Sequence, residues 1–356
     1  MATEGLVNES PFAAQELFLA DEDGRDLLAV VVKATYAIRP GEPLALAEEQ
    51  VAVDLAGTYY GDPAESSMRF EPEVAFAKPS TDVVLVGHAY PDRAGARQVD
   101  VGFQVGPVQK TIRVFGDRHW TSTLGFYKIS EPQPFERVPL VWERAFGGWD
   151  RTAPDERQHR VEQRNPVGVG YRKKVQVAFV EQTALPNLED PRKLITAPGD
   201  TPPPAGVGFI GPHWSPRLGY AGTYDETWQQ TRMPLLPIDF DRRFFNAAPP
   251  GQITGRYLQG NESVVIANAA SVPWLSFSLP TEPPPHVTVV RHRAADRPLE
   301  PHLDTVILDT DAMQVLLLWR AHLLIPAGPH AVTAIHVEPH AQSVHAAPDT
   351  ALIPAA

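Results

Sequence analysis

Four prolines interrupt the segment 231–260, TRMPLLPIDFDRRFFNAAPPGQITGRYLQG, and they limit what the centre of this chain can form. Proline has no amide hydrogen and its ring clashes with the preceding helical turn, so no helix continues through this segment. A central strand is excluded too, because proline cannot donate to a strand ladder. We therefore predict an irregular loop whose large apolar side chains pack either on the chain's own core or on a partner.

Proline is abundant along the whole chain, with 37 among 356 residues, against an average usage of about 5%. Proline and the 25 glycines together stay below the roughly 25–30% that marks a disordered chain. Hydrophobic residues make up 43% of the sequence, which is enough for a sizeable core. The composition predicts a folded protein of one large or two medium domains, with many strands and abruptly ended loops.

The net charge of −12 argues against nucleic-acid binding, which depends on clustered positive charge. The chain has no cysteine, so disulfides, thiolate metal sites and thiol nucleophiles are excluded. Residues 1–12 lack the basic and apolar parts of a signal peptide, and no apolar run is long enough to span a bilayer. We therefore expect a cytoplasmic protein without a membrane or nucleic-acid partner.

Strand patterns dominate both ends of the chain. Residues 27–38 and 83–90 are apolar runs typical of buried strands. Residues 99–105 alternate apolar and polar side chains, and a Gly-Pro turn leads into a second alternating run at 108–114, which predicts a hairpin. Further short strands are predicted at 263–267, 274–279, 286–291, 303–308, 313–320 and 331–337.

The predicted fold class is therefore mainly β, with antiparallel β-sandwich-like N-terminal and C-terminal regions and a long irregular proline-rich middle section. We place the N-terminal β region at 1–130, the middle section packed between the β regions at 131–260, the C-terminal region at 261–345 and a tail at 346–356. Within the middle section, the charged piece 154–165 fits either a short surface helix or a mobile loop.

Two motifs match functional signatures by letter only. Residues 206–211 read GxGxxG, but prolines precede and follow them, whereas phosphate binding needs a strand before and a helix after. His336 and His340 have the spacing of a zinc-binding helix, but Pro339 forbids that helix. We expect a flexible loop, two separate histidines, and neither a metal nor another cofactor.

Two clusters in the middle section are the candidate sites. Asp239 and Asp241 would point the same way in an extended segment, which suits acid–base work or cation binding. Their alternative role is to pair with nearby arginines or to accept backbone N–H bonds in a turn. The second cluster, WERAFGGW at 142–149, combines the residue types that anchor interfaces, although Trp142 and Phe146 suit a core equally well.

The chain also resembles one bacterial family over long blocks in the same order, from about Phe12 to about Pro339. These blocks are VVVKATYAI (30–38), KPSTDVVLVGHAY (78–90), VFGDRHW (114–120), FERVPLVWERAFGG (135–148), NPVGVGY (165–171), PLLPIDFDRRFFNAAPP (234–250), YLQGNE (257–262) and LDTVILDTDAMQVLLLWRA (303–321). The family is a domain of unknown function associated with type VI secretion. The resemblance implies a cytoplasmic adaptor or chaperone that loads an effector protein onto the spike protein, without catalytic residues.

The leading hypothesis is thus a non-catalytic adaptor whose partners are a type VI effector and a spike or spike-tip protein. The partner-binding candidates are Trp142, Arg144, Phe146, Trp149, Asp239, Asp241, Arg243, Phe244, Phe245 and Asn246. Alternatively, the block 234–250 is structural and joins the two β regions. A hydrolase using Asp239, Asp241 and a histidine is the second hypothesis, and a carbohydrate-binding β-sandwich is the third.

Overall fold

The computed structural model describes residues 5–123, 126–173 and 180–340. Its strands, in chain order, are β1 (Gly5–Asn8), β2 (Ala13–Ala20), β3 (Asp26–Ala37), β4 (Ala45–Leu46), β5 (Thr58–Tyr59), β6 (Met68–Phe70), β7 (Asp82–Val86), β8 (His88–Ala89), β9 (Gln98–Val105), β10 (Val108–Phe115), β11 (Trp120–Thr123), β12 (Phe126–Ile129), β13 (Val138–Pro139), β14 (Phe146–Gly147), β15 (Trp149–Asp150), β16 (Arg160–Val161), β17 (Val169–Gly170), β18 (Leu188–Glu189), β19 (Ser263–Ala267), β20 (Trp274–Ser278), β21 (His286–Arg291), β22 (Arg297–Leu299), β23 (His302–Asp309), β24 (Gln314–Leu324) and β25 (Val332–Glu338).

The helices that lie wholly within the described ranges are short. Among them, an α-helix spans Glu226–Thr231, and turns of 3₁₀-helix span Trp142–Arg144, Glu156–Gln158, Arg217–Tyr220, Arg242–Phe245 and Pro329–Ala331. Over the described ranges, none of the helices has the length and apolar character needed to cross a membrane.

The central sheet has the strand order β2-β3-β24-β23-β7, with β4 also paired to β3. Its pairs are antiparallel except for β23 and β7, which run parallel with Ile307 opposite Val84. Residues 27–36 of β3 are buried without interruption, on both faces of the sheet. A strand that is covered on both sides needs apolar residues at every position, which explains the continuous run LLAVVV.

One face of the central sheet packs against two other sheets. The sheet β18-β10-β9-β19-β20 covers one end, where its Val101 and Phe103 share a core with Leu85 and Val306. The sheet β1-β25-β21-β22 covers the other end, where Val289, Ile335 and Val337 pack with Val30 and Val32. This face-to-face packing of sheets is the sandwich arrangement.

The opposite face of the central sheet is covered by irregular chain from the middle section. Phe209, Ala247 and Ala248 pack on Val31, Val84 and Ile307. Nearby, Leu236, Phe240 and Phe245 pack against Leu27 and Ala29. Because the middle section fills this face, its apolar residues belong to the core without any regular period.

The structure confirms the expected mainly β fold, including the hairpin of β9 and β10, whose Val105 lies opposite Val108. Strands from the predicted N-terminal and C-terminal regions share sheets, since β3 pairs with β24 and β9 pairs with β19. The charged piece 154–165 contains the 3₁₀ turn Glu156–Gln158 followed by β16.

Candidate protein-docking surface

The block 234–250 is anchored to the central sheet through Asn246. The side-chain amide of Asn246 donates to the backbone oxygen of Ser80 at 3.0 Å and to Oδ1 of Asp82 at 2.9 Å. The backbone N–H of Ala247 donates to the other Asp82 oxygen, also at 2.9 Å. All four residues are buried. Asn246, which the sequence placed among the partner-binding candidates, is therefore a structural anchor inside the protein.

A buried ionic cluster extends this anchor. Arg217 pairs with Glu71, and its remaining nitrogens donate to the backbone oxygens of Phe244 at 2.7 Å and Ile210 at 2.9 Å. Lys78 donates to Asp82 at 2.9 Å. Buried charges persist only when they are paired and hydrogen-bonded, as they are here. The cluster therefore fixes the path of the middle section over the sheet.

The electrostatics of the cluster follow from burial and pairing. Burial raises the pKa of Glu71, and the positive charges of Lys78 and Arg217 offset this only in part. Burial also disfavours the charge of Lys78, but Asp82 and Glu71 outweigh it and raise the pKa of Lys78. The cluster ties the segments around Glu71, Lys78 and Arg217 together.

Three phenylalanines of the block 234–250 pack with one another and with Phe76. The ring of Phe245 contacts Phe76 edge-on, with the ring centres 4.7 Å apart, and it also contacts Phe240 and Phe244. Phe244 and Phe245 are each half-buried. These two candidate residues therefore serve mainly as the aromatic support of the loop rather than as freely exposed side chains.

The outer side of this segment exposes large apolar side chains. Ile238 is 85% exposed and Met233 is 60% exposed, and Tyr224 and Leu218 are also exposed. Large apolar side chains that face solvent are candidates for contact with a partner where they form a continuous patch. We call the exposed side of residues 218–241, together with Arg243, the docking surface.

The docking surface is held in shape by side-chain bonds to backbone groups. The two oxygens of Asp239 accept from the backbone N–H of Thr223 at 2.9 Å and from its hydroxyl at 2.8 Å. The indole nitrogen of Trp228 donates to the backbone oxygen of Leu235 at 2.8 Å. Arg232 donates to Leu236 and to the loop at Glu22. The exposed residues therefore sit on a constrained loop.

Asp241 and Arg243 form a local unit at the edge of the docking surface. Asp241 accepts from the backbone N–H of Arg243 at 2.8 Å, which caps the 3₁₀ turn, and from its guanidinium Nε at 2.8 Å. The guanidinium of Arg243 lies 4.4 Å from the ring centre of Tyr220. The Arg243 bond lowers the pKa of Asp241, and the Thr223 bonds lower that of Asp239. The two carboxylates therefore serve different partners.

The cluster at 142–149 divides between core and surface. Trp142 is buried and donates through its indole nitrogen to the backbone oxygen of Phe209 at 2.8 Å. Phe146 is buried as well, while Arg144 bridges Asp117 and Asn187 at 3.1 Å each. Trp149 is exposed. Of this cluster, only Trp149 offers an aromatic face to solvent.

The other motifs take structural roles. Residues 206–211 form a loop without a helix after it, and Gly206 lies against the buried ring of Trp142. His340 stacks on His286 with ring centres 4.5 Å apart, while His336 lies in β25. No group of three or more potential metal-ligating side chains was found within residues 5–123, 126–173 and 180–340.

The seven tryptophans do not line one face. Trp120, Trp142, Trp214 and Trp319 are buried, Trp228 is half-buried, and Trp149 and Trp274 are exposed on different sheets.

Sequence reasoning singled out this segment as a whole but did not single out its exposed apolar residues. Of the candidates, Asp239, Asp241 and Arg243 lie at the docking surface, and Trp142, Phe146 and Asn246 lie in the core. Met233 and Ile238 were missed. No local sequence signal separates them, because Leu235 and Leu236 adjoin the same two prolines and are half-buried.

Comparison with known proteins gives one match. Residues 23–320 match the profile of a family described as an uncharacterized protein conserved in bacteria (DUF2169). Neither the search of curated proteins nor the search of solved structures gave a match.

Proposed function

The chain belongs to the DUF2169 family of bacterial proteins, and we propose that it is a non-catalytic adaptor of type VI secretion. It binds an effector protein in the cytoplasm and helps to load that effector onto the spike protein or a spike-tip protein. The type VI association comes from the sequence resemblance described above, which extends over nearly the whole chain.

The observation that carries the proposal is the exposure of Met233 and Ile238 on a constrained loop. A loop that is already ordered loses little conformational entropy when a partner binds, so its apolar contacts contribute more fully to affinity. The loop is ordered by Asp239, Trp228 and Arg232 from within and by the Asn246 anchor below.

The surroundings of the patch suit protein recognition. Arg243 lies over Tyr220 at its edge, and Tyr224 packs edge-on against Trp228 with ring centres 4.7 Å apart. Arginine, tyrosine and tryptophan are the residue types that most often dominate binding energy at interfaces. An apolar centre with such a rim fits a folded protein partner.

The hydrolase alternative would need Asp239 and Asp241 to act together. Each carboxylate instead holds its own backbone segment, at Thr223 and at Arg243. The carbohydrate-binding alternative would need several tryptophans along one open face, whereas four of the seven are buried. Neither alternative has a specific observation in its favour.

The test is capture of the effector by the purified protein. We expect Ile238→Asp to weaken binding at least tenfold, because it places a charge at the centre of the apolar contact. Leu55→Asp is the matched control, since Leu55 is an exposed apolar residue outside the docking surface. Equal effector binding by the wild type and Ile238→Asp would contradict the assignment of this surface.

A further inference from the structure

A second surface lies at the edge of the sheet β18-β10-β9-β19-β20. Strand β20 is the last strand of this sheet. Beside it runs a cavity of about 1110 Å³, whose walls include Phe12, Tyr36 and Leu44 as well as Phe277 of β20. We call this cavity the β20 groove.

The outer edge of β20 carries free backbone groups. Leu279 donates to Glu262 and Asn268 donates to Pro273, so the bonded pairs fall at the odd-numbered residues of this strand. Bonded and non-bonded positions alternate in an antiparallel pair. The N–H and C=O groups of Trp274, Ser276 and Ser278 therefore point away from β19. No hydrogen bond within the described part of the chain uses them.

This edge lacks the usual protection against pairing. Proteins commonly place lysine, proline or a bulge on exposed edge strands. β20 reads WLSFS, without a charge or a proline, and its register with β19 is regular from Ser263 to Ala267. Trp274 is also 60% exposed there. An unprotected edge beside an apolar groove is the arrangement that accepts an added strand.

The charge of the groove selects the partner. Of the described residues, Glu42 and Glu282 line it and no lysine or arginine does; Arg39, which is outside the lining, lies 3.8 Å from Glu42. The other wall is rich in proline, at Pro43, Pro283 and Pro339 among others, so it supplies few backbone donors. The backbone hydrogen bonds to a bound ligand must therefore come mainly from β20. The acidic side chains favour a ligand that carries positive charge.

We propose that β20 binds an extended segment of the partner protein as an added antiparallel or parallel strand, with apolar side chains in the groove and lysine or arginine side chains near Glu42 and Glu282. The identity of the partner as the effector rests on the proposed adaptor function. The mode of binding does not, because it follows from the strand edge and the groove.

The first test measures peptide binding by fluorescence anisotropy. The probe is a labelled octapeptide that alternates lysine and valine, and a glutamate–valine octapeptide is its charge-reversed counterpart. We expect the wild type to bind the basic peptide and not the acidic one. Ser276→Pro removes one outward N–H and should weaken binding about fivefold or more, while Ser276→Ala keeps that N–H and should bind like the wild type.

Proline at an outward edge position leaves the β19–β20 ladder intact, so Ser276→Pro should fold. If that variant unfolds, Glu282→Lys provides the same test, because it should weaken binding of the basic peptide without touching the backbone. Equal binding of both peptides, or unchanged binding in Glu282→Lys and Ser276→Pro, would overturn the proposal.

The proposal would also be overturned if the β20 groove proved to bind one of two other segments. Self-association in analytical ultracentrifugation that Ser276→Pro abolishes would assign the edge to a second copy of this chain. Tighter peptide binding after removal of residues 341–356 would assign the groove to the chain's own C-terminal segment.

Secretion assays separate this inference from the proposed function. Loss of effector export on gene deletion, together with normal export by Ser276→Pro, would leave the adaptor function standing and remove the β20 site. Normal export after gene deletion would remove the adaptor function, and the peptide assay alone would then decide the β20 site.

Discussion

The side-chain amide of Asn246 donates a hydrogen bond of 2.9 Å to Asp82, which lies 164 positions earlier in the chain. Through this bond the irregular middle section is joined to the central sheet. The bond is buried, and the same carboxylate also accepts from Ala247 and Lys78. The docking surface therefore depends on a polar anchor in the core.

Asn246→Ala should destabilise the protein by about 1–3 kcal/mol, because the buried Oδ1 of Asp82 and the backbone oxygen of Ser80 each lose the donor that Asn246 supplies. Urea unfolding, monitored by tryptophan fluorescence, measures this change in the unfolding free energy. The control is Gln259→Ala, which removes an exposed amide and should change the unfolding free energy by less than about 0.5 kcal/mol. Equal effects of the two variants would contradict the anchor.

Gly206 and Gly208 provide a second matched pair. A Cβ atom on Gly206 would lie 2.5 Å from the buried ring of Trp142, whereas one on Gly208 meets only Leu85 O at 3.8 Å. Gly206→Ala should therefore cost about 1–3 kcal/mol of stability, and Gly208→Ala should be nearly neutral. Thermal unfolding of both variants tests this, and the reverse order would contradict the packing at Trp142.

The pH dependence of stability should report on Glu71. Its pKa is raised by burial, so the unfolded chain releases this proton at lower pH than the folded protein does. The Glu71 contribution to stability is therefore complete below the ordinary glutamate pKa of about 4.3 and is lost as the pH rises through the folded value.

Glu71→Gln removes this ionisation. The unfolding free energy of the wild type should fall relative to that of Glu71→Gln as the pH rises from about 4 upwards. Chemical denaturation at a series of pH values gives this difference. A difference that grows in favour of the wild type would mean that Lys78 and Arg217 outweigh burial at this carboxyl.

Local patterns made much of the fold predictable. The unbroken apolar run in β3 reflects its burial on both faces, and the alternation in β9 matches one buried face. The pairing of β3 with β24 was not predictable, because nothing local specifies a partner almost three hundred positions away. The sequence regions at the two ends therefore looked separate, although their strands share sheets.

The candidate site was predictable only as a segment. In an irregular loop, burial follows no period, so Leu236, packed on Leu27, and Ile238, which faces solvent, look alike in the sequence. Similarly, the role of Asn246 depends on the distant Asp82. Sequence reasoning left open whether the block was structural or a contact surface, and in the structure some of its residues are buried in the core while others face solvent.

Substitutions at exposed residues of the docking surface should weaken effector binding without changing the stability of the fold. Met233→Asp and Ile238→Asp should each leave the unfolding free energy within about 0.5 kcal/mol of the wild type, because both side chains face solvent. Urea unfolding checks this. A large loss of stability would mean that these side chains belong to the core, and would remove the basis of the proposed function.

The most direct test of the adaptor proposal is quantitative mass spectrometry of secreted proteins from the native host. The strains compared are the wild type, a deletion of this gene, and the deletion complemented with the wild type, Ile238→Asp or Leu55→Asp. We expect one type VI effector to disappear from the medium in the deletion and Ile238→Asp strains, while the secretion-tube protein is still exported. Identical effector export in all strains would contradict the proposed function.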